Sequence, residues 1–260
     1  MIIAGYIAAV LVGLSLGLIG GGGSILTVPL LVYLFGIEPV VATSYSLFIV
    51  GIAALVGAAR NYRQGQVDTR TTLIFGITSV ITVILTRRLV VPAIPRHIGS
   101  IGGIEVTNSM LTMILFAVLM LFASISMIRG RKVEKDEAER RSEFMLFLYG
   151  TGIGFVTGFL GAGGGFLLIP ALVFFAGLDM KRAIGTSLSI IAMNSLIGFA
   201  SDVWFMPIDW ALLLSISAVA VAGIFGGMAL GKKIPGKNLQ KGFGWFVLIT
   251  GIYILIKELL

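Results

Sequence analysis

A glycine-rich segment inside a long uncharged stretch occurs twice in this chain. The segment Ile19–Pro29, IGGGGSILTVP, is followed 141 positions later by LGAGGGFLLIP, from Leu160 to Pro170. A run of glycines interrupts a helix, because glycine loses the most backbone entropy on ordering. In a bilayer, such a break is tolerated only where it is buried in protein or lines a cavity. Paired breaks in two repeats are typical of transporter binding sites.

The composition indicates a membrane protein. Of the 260 residues, 57% are hydrophobic and 12% are charged, with a mean hydropathy of +1.05. A soluble domain carries about 25% charged residues. Several uncharged runs reach the roughly 20 residues that cross a bilayer. The net charge of +7 is explained by basic residues in the loops, so we do not expect nucleic-acid binding.

The internal similarity extends beyond the glycines. The segment ATSYSL, residues 42–47, aligns with GTSLSI, residues 185–190, and Val67-Asp68 aligns with Ile208-Asp209. The departure of Ala42 from Gly185 leaves open whether both halves contribute equally. The sequence predicts a first transmembrane repeat over residues 1–128, a charged cytoplasmic linker over 129–143 and a second transmembrane repeat over 144–260.

The distribution of positive charge predicts the orientation of the repeats. If each glycine-broken segment doubles back, 15 of the 19 basic residues fall on one side, whereas a single crossing divides them ten to nine. The positive-inside rule favours the first arrangement. We therefore predict an all-α polytopic membrane protein of two inverted repeats. Each repeat has a glycine-broken, re-entrant or doubled-back first segment and three further transmembrane helices, and both termini lie outside.

The residues after each glycine run are expected to begin half-helices, Ser24–Phe35 and Gly165–Ala176. Helix N-termini carry partial positive charge and unpaired N–H groups, so two of them near the midplane would bind an anion. The predicted substrate-binding residues lie at the breaks and on the helices that follow: Gly21, Gly22, Gly23, Ser24, Thr43, Ser44, Gly163, Gly164, Gly165, Thr186, Ser187 and Asn194.

Other interpretations of these residues stay open. The Thr-Ser pairs are also suited to capping helices, and Asn194 to holding two helices together. Gly150, Gly154 and Gly158, at four-residue spacing, are interpreted as a helix-packing stripe. No buried arginine or lysine is expected at mid-span. The four acids considered for ion coupling are placed at the ends of apolar runs, and coupling is left open: Asp68, Glu105, Asp202 and Asp209.

An enzyme is not expected. The only histidine, His97, has no mid-span acid beside it in the sequence, and no serine nucleophile has an obvious base. We predict no catalytic residue, no metal site and no cofactor. A passive anion channel is the alternative to a transporter, because an anion site alone does not distinguish them.

The paired GGGG and AGGG segments, each followed by a proline and a Thr-Ser pair, resemble the TauE/SafE sulfite-exporter-like permeases over nearly the whole chain. The resemblance implies a multi-pass protein of the prokaryotic plasma membrane that moves small anions, with sulfite and organosulfonates as associated substrates. The expected partners are that anion and the lipid bilayer, and a homodimer is left open.

Overall fold

The computed structural model describes residues 2–95, 97–101, 104–129, 143–161, 165–174, 176–231 and 236–259, and most of them are helical. The first half contains α1 (Ile2–Ile19), α2 (Thr27–Phe35), α3 (Pro39–Arg63), α4 (Thr69–Leu85), α5 (Val91–Ala93) and α6 (Asn108–Arg129). The second contains α7 (Glu143–Leu160), α8 (Gly165–Phe174), α9 (Met180–Asp202), α10 (Trp210–Leu230) and α11 (Gly236–Leu259). The predicted helical fold is confirmed.

Two short non-α turns and one hairpin complete the first half. A 3-10 turn, Gly21–Leu26, joins α1 to α2, and a π-helical turn, Thr86–Val90, joins α4 to α5. The antiparallel strands β1 (His97–Ile101) and β2 (Ile104–Thr107) precede α6. The all-helical prediction did not include this hairpin. Its sequence mixes β-branched residues, which favour strands, with glycines, which weaken helices.

Aspartates begin three of the helices. The side chains of Asp68, Asp179 and Asp209 accept hydrogen bonds from backbone N–H groups in the first turns of α4, α9 and α10. These bonds satisfy donors that a helix start leaves unpaired. Two of the acids considered for ion coupling, Asp68 and Asp209, are therefore engaged as helix caps.

Four described helical segments are long and apolar enough to cross a membrane: Pro39–Arg63, Thr69–Ala93, Lys181–Asp202 and Trp210–Leu230. The most hydrophobic windows of the segments containing α3 and α9 are each 67% buried, against 33% and 39% for those of the other two. These two helices therefore form the centre of a multi-pass helical protein, and the other spans surround them.

Glycines set the contact between α1 and α10. A Cβ placed on Gly13 would lie 2.0 Å from the carbonyl oxygen of Ala220, and one on Gly17 would lie 2.3 Å from that of Ile224. Because residue numbers increase together along both helices, α1 and α10 run in the same direction. Only glycine permits the two backbones to approach this closely.

The packing role predicted for the stripe on α7 is confirmed. Cβ atoms on Gly150, Gly154 and Gly158 would lie 2.3 to 2.9 Å from atoms of α4, or of the π-helical turn that continues it. The partners advance from Thr78 to Thr86 as the glycine numbers rise, so α4 and α7 are also parallel. In α1 and α10, the first helix of the first half packs parallel to a helix of the second half. The helices α7 and α4 pack in the same way, with the two halves exchanged.

The corresponding central helices α3 and α9 are antiparallel. Ser44 near the start of α3 hydrogen-bonds to Asp202 at the end of α9. At the other end, a Cβ on Gly57 would lie 3.0 Å from Leu188 near the start of α9. The residue numbers thus rise along one helix as they fall along the other.

The first segment folds back on itself. A Cβ on Gly5, near the start of α1, would lie 2.5 Å from the Phe35 ring at the end of α2. The Tyr6 and Phe35 rings also meet edge to face, with centroids 5.8 Å apart. Since the ends of the segment are neighbours and its middle is the glycine run, α2 returns along α1.

Candidate functional site

The first glycine run ends α1 through a backbone conformation that favours glycine. Gly20 has φ 77° and ψ −115° and is followed by the 3-10 turn Gly21–Leu26. A Cβ on Gly20 would also lie 2.9 Å from the Ser187 hydroxyl. The helix α1 ends at this run, and the α-helix after it begins at Thr27 rather than Ser24, because a 3-10 turn comes first.

The second glycine run ends α7 in a similar way. Gly161 has φ 66°, and a Cβ there would lie 2.2 Å from the carbonyl oxygen of Thr43. The predicted site residues Gly163 and Gly164 lie outside the described residues. The helix α8 begins at Gly165, as expected from the sequence, and its described part ends at Phe174.

The two breaks meet at a backbone contact. A Cβ on Gly21 would lie 2.1 Å from the Cα of Gly165, and the reverse distance is 2.2 Å. No side chain fits between these backbones. Two of the predicted site residues, 144 positions apart and in different repeats, are therefore neighbours. Gly22 and Gly23 follow directly within the 3-10 turn.

The predicted hydroxyl residues are all buried, and each makes an internal hydrogen bond. Ser24, Thr43 and Ser187 donate to carbonyl oxygens three residues earlier, at 2.8, 2.7 and 2.9 Å. Thr186 instead accepts from the backbone N–H of Asp68 at 2.9 Å, which ties α9 to the start of α4. A ligand that accepts a hydrogen bond from Ser24, Thr43 or Ser187 would have to replace an existing bond.

Asn194 carries a buried hydrogen-bond donor that no described residue pairs with. Its side chain is completely buried, as the sequence predicted, and its Oδ1 accepts from the Ser79 hydroxyl at 2.7 Å. Its Nδ2 group has no hydrogen-bond partner among the described residues, nor have the hydroxyls of Ser195 and Ser46. Such groups are costly when unsatisfied, so they are suited to bind something polar.

A buried ion pair, absent from the sequence prediction, lies near the second break. Arg87 Nη1 is 2.5 Å from Asp202 Oδ2, and these side chains are 2% and 14% exposed. The Ser44 hydroxyl accepts from Arg87 Nη1 at 2.8 Å and donates to Asp202. The expectation of no buried arginine is therefore wrong for this span. Asp202 lies at a helix end, as predicted, but reaches into the protein.

One feature of the sequence indicates that an arginine lies inside this span. The apolar run does not end at Arg87 and Arg88, because the residues 89–94, LVVPAI, continue it. The structure places both arginines within the span Thr69–Ala93, with Arg87 buried and Arg88 exposed. An arginine inside an apolar span usually requires an acidic partner.

A separate apolar cavity of about 180 Å³ lies between α1, α2 and α11. It contains none of the predicted site residues, and its lining includes Leu11, Pro29, Leu30, Tyr33 and Tyr253. No group of three or more histidine, aspartate or glutamate side chains within the described ranges is arranged to hold a metal. The polar groups at the breaks and at the ion pair therefore form the candidate site.

Comparison with known proteins agrees with this architecture. Residues 5–254 match the family described as sulfite exporter TauE/SafE. A probable membrane transporter protein of Xylella fastidiosa is 29% identical over 255 residues, which is 95% of this chain and 92% of that protein. The probable membrane transporter proteins MJ0441 of Methanocaldococcus jannaschii and YunE of Bacillus subtilis are 25% and 27% identical. They cover 98% and 90% of this chain, and 94% and 91% of their own length. No solved structure matches significantly. The chain belongs to the TauE/SafE family.

Proposed function

We propose that this protein is a secondary transporter for a small oxyanion of the sulfite or organosulfonate class, bound near the bilayer midplane between the two glycine-rich breaks. The meeting of these breaks at Gly21 and Gly165 is the observation that carries the proposal. The family description supports an oxyanion, and the relatives' names support transport.

The chemistry at the breaks favours an anion. Interrupted helices present backbone N–H groups, and their N-terminal ends carry partial positive charge. The unpartnered Nδ2 of Asn194 adds a buried neutral donor on α9. Arg87 adds a cation, although Asp202 balances it. A cation substrate would find no excess negative charge among these groups.

We propose that the two halves are inverted repeats, with both termini outside and residues 129–143 in the cytoplasm. Three contacts support this: α3 and α9 are antiparallel, α1 is parallel to α10, and α7 is parallel to α4. The return of α2 along α1 supports the doubled-back first segment. In that arrangement 15 of 19 basic residues share the cytoplasmic side.

Flux into proteoliposomes tests the proposed substrate class. Purified protein is reconstituted, and uptake is measured for sulfite, sulfate, thiosulfate, taurine and sulfoacetate, with sodium and potassium as cation controls. We expect saturable uptake of at least one of these anions and none of the cations. Uptake of a cation without any anion would contradict the proposal.

The same vesicles distinguish a transporter from a channel. A transporter saturates with substrate concentration and, with an imposed ion gradient, accumulates the anion above its external concentration. A channel lets the anion only equilibrate and gives unitary conductance in a planar bilayer. Unitary anion conductance without accumulation under any imposed gradient would favour the channel instead.

A further inference from the structure

The guanidinium of Arg87 has one side occupied and one side free. Asp202 and Ser44 both contact Nη1. Nε and Nη2 are buried and have no hydrogen-bond partner among the described residues. These two atoms carry the parallel N–H groups along one edge of the planar guanidinium, the geometry that binds two oxygens of one oxyanion.

Arg87 lies close to the second glycine break. Arg87 follows Thr86, against whose Cβ Gly158 packs at the end of α7. Its partner Ser44 follows Thr43, whose carbonyl oxygen contacts Gly161. The guanidinium is thus held by the start of α3 and the end of α9, close to the point where the second glycine run begins.

We propose that Arg87 binds the transported oxyanion through Nε and Nη2, and that Asp202 takes up one proton from solvent as the anion binds. The inference rests on the proposed function and specifies a charged ligand and a coupling ion for it. Before binding, the guanidinium and the carboxylate sum to zero charge. A monovalent anion alone would leave a net negative charge in an apolar span, which is costly, whereas anion and proton together keep the site neutral.

The surroundings leave Asp202 as the group that can take this proton. The π-helical turn containing Arg87 packs against α4, α5, α7 and α9. The described parts of α5 and α7 beyond Glu143 contribute no charged residue, and Arg70, Lys181 and Arg182 lie at the opposite ends of α4 and α9. On α3, Arg60 and Arg63 are also at the far end.

Among the side chains that the structure describes, the other titratable groups near the same end are engaged or exposed. Arg88 is exposed, and Asp209 caps α10. The Tyr45 hydroxyl, one residue from Ser44, accepts from the backbone N–H of Asp209 at 2.7 Å. Glu38 precedes α3 and contacts Ser109 through its carboxylate. Asp202, 14% exposed and in direct contact with Arg87, is both reachable from solvent and coupled to the anion.

The internal repeat does not produce a second, equivalent ion pair. Asp202 aligns with Ala59 when the ATSYSL and GTSLSI segments are superposed, and α10, the counterpart of α4, contains no charged residue. The proposed charged site therefore has no repeat-related copy. In the topology proposed above, Arg87 and Asp202 lie toward the outer ends of their helices.

Calorimetry with methanesulfonate tests whether Arg87 binds the oxyanion. This organosulfonate is a suitable probe because its charge is constant between about pH 5 and about pH 8. Arg87→Lys keeps the positive charge but lacks the edge with two parallel N–H groups. Arg88→Lys is the matched control at the exposed neighbouring residue. We expect wild type and Arg88→Lys to bind alike and Arg87→Lys to bind about 10- to 150-fold more weakly, since hydrogen bonds to charged groups are lost. Equal affinity in Arg87→Lys would overturn the proposal.

Repeating the titration in two buffers of different ionisation enthalpy measures proton uptake. We expect about one proton per anion for wild type and none for Asp202→Asn, which preserves the shape of the pair. No uptake by wild type, or unchanged uptake by Asp202→Asn, would overturn the proposal. Should Arg87→Lys fail to fold, the double variant Arg87→Gln/Asp202→Asn, a neutral pair, must show the same loss of binding.

The outcomes separate this inference from the proposed function. A wild-type protein that moves none of the anion panel contradicts the proposed function itself. A wild-type protein that moves sulfite but does not bind methanesulfonate, or whose sulfite uptake is unchanged in Arg87→Lys, contradicts only the role of Arg87.

Discussion

Alanine substitutions two residues apart on α7 should have opposite effects on stability. At Gly154, a Cβ would lie 2.4 Å from the carbonyl oxygen of Ser79 and 2.9 Å from the Thr82 Cβ, well inside ordinary contact distance. At Gly152, no described atom lies within 4 Å of the added Cβ. The two positions share a helix, a backbone conformation and a substitution, and differ in what the methyl group meets.

The expected magnitudes follow from these distances. Alanine is favoured over glycine inside a helix by about 0.5–1 kcal/mol, so Gly152→Ala should be neutral or stabilising by that amount. Gly154→Ala receives the same gain, but forcing α7 away from α4 costs about 1–3 kcal/mol or more. We therefore expect Gly154→Ala to lower the free energy of unfolding relative to Gly152→Ala by about 1–3 kcal/mol.

Thermal or denaturant unfolding of both variants in one detergent, followed by tryptophan fluorescence, measures this difference. Gly17→Ala on α1, where a Cβ would lie 2.3 Å from the Ile224 carbonyl oxygen, should behave like Gly154→Ala. Equal stability of Gly152→Ala and Gly154→Ala would refute the close pairing of α4 and α7.

Three further predictions follow from the breaks, the ion pair and the topology. Gly161→Ala should lower the melting temperature, because its φ of 66° costs a residue with a side chain about 1–2 kcal/mol; an unchanged melting temperature would contradict this backbone conformation. Asp202→Ala leaves a buried guanidinium without its counter-charge and should destabilise by about 3–5 kcal/mol. Asp179→Ala, which removes an exposed helix cap, should cost about 1 kcal/mol in the same unfolding assay, so equal losses would argue against burial of the pair. In this cysteine-free chain, a single cysteine at Lys135 should resist an impermeant maleimide in whole cells while one near the N-terminus reacts, and the reverse pattern would contradict the proposed orientation.

The sequence predicted the features that depend on local chemistry. Four successive glycines interrupt a helix in any context, so the end of α1 at Ile19 followed from composition. The spacing of Gly150, Gly154 and Gly158 defines one face of a helix, so its packing role followed from periodicity. Asn194, in the middle of an apolar run, had to face the protein rather than lipid.

The features that the sequence did not predict depend on distant residues or on the choice between two kinds of helical turn. Arg87 and Asp202 are 115 positions apart, and only the antiparallel packing of α3 against α9 brings Ser44 and Asp202 together. The later start of α2 at Thr27 reflects a 3-10 turn in which the Ser24 hydroxyl bonds to the Gly21 carbonyl oxygen. Sequence spacing does not distinguish that turn from the first turn of an α-helix.

The central claim, that the substrate binds where the two breaks meet, is tested most directly by sulfite uptake into proteoliposomes containing Gly165→Ala. This substitution places a Cβ 2.2 Å from the Cα of Gly21, whereas the control Gly152→Ala places one in open space. With uptake normalised to the amount of folded protein, we predict saturable transport by wild type and Gly152→Ala, and loss of transport or a strongly raised half-saturation concentration for Gly165→Ala. Wild-type transport by folded Gly165→Ala would show that the breaks only pack helices and would contradict the account.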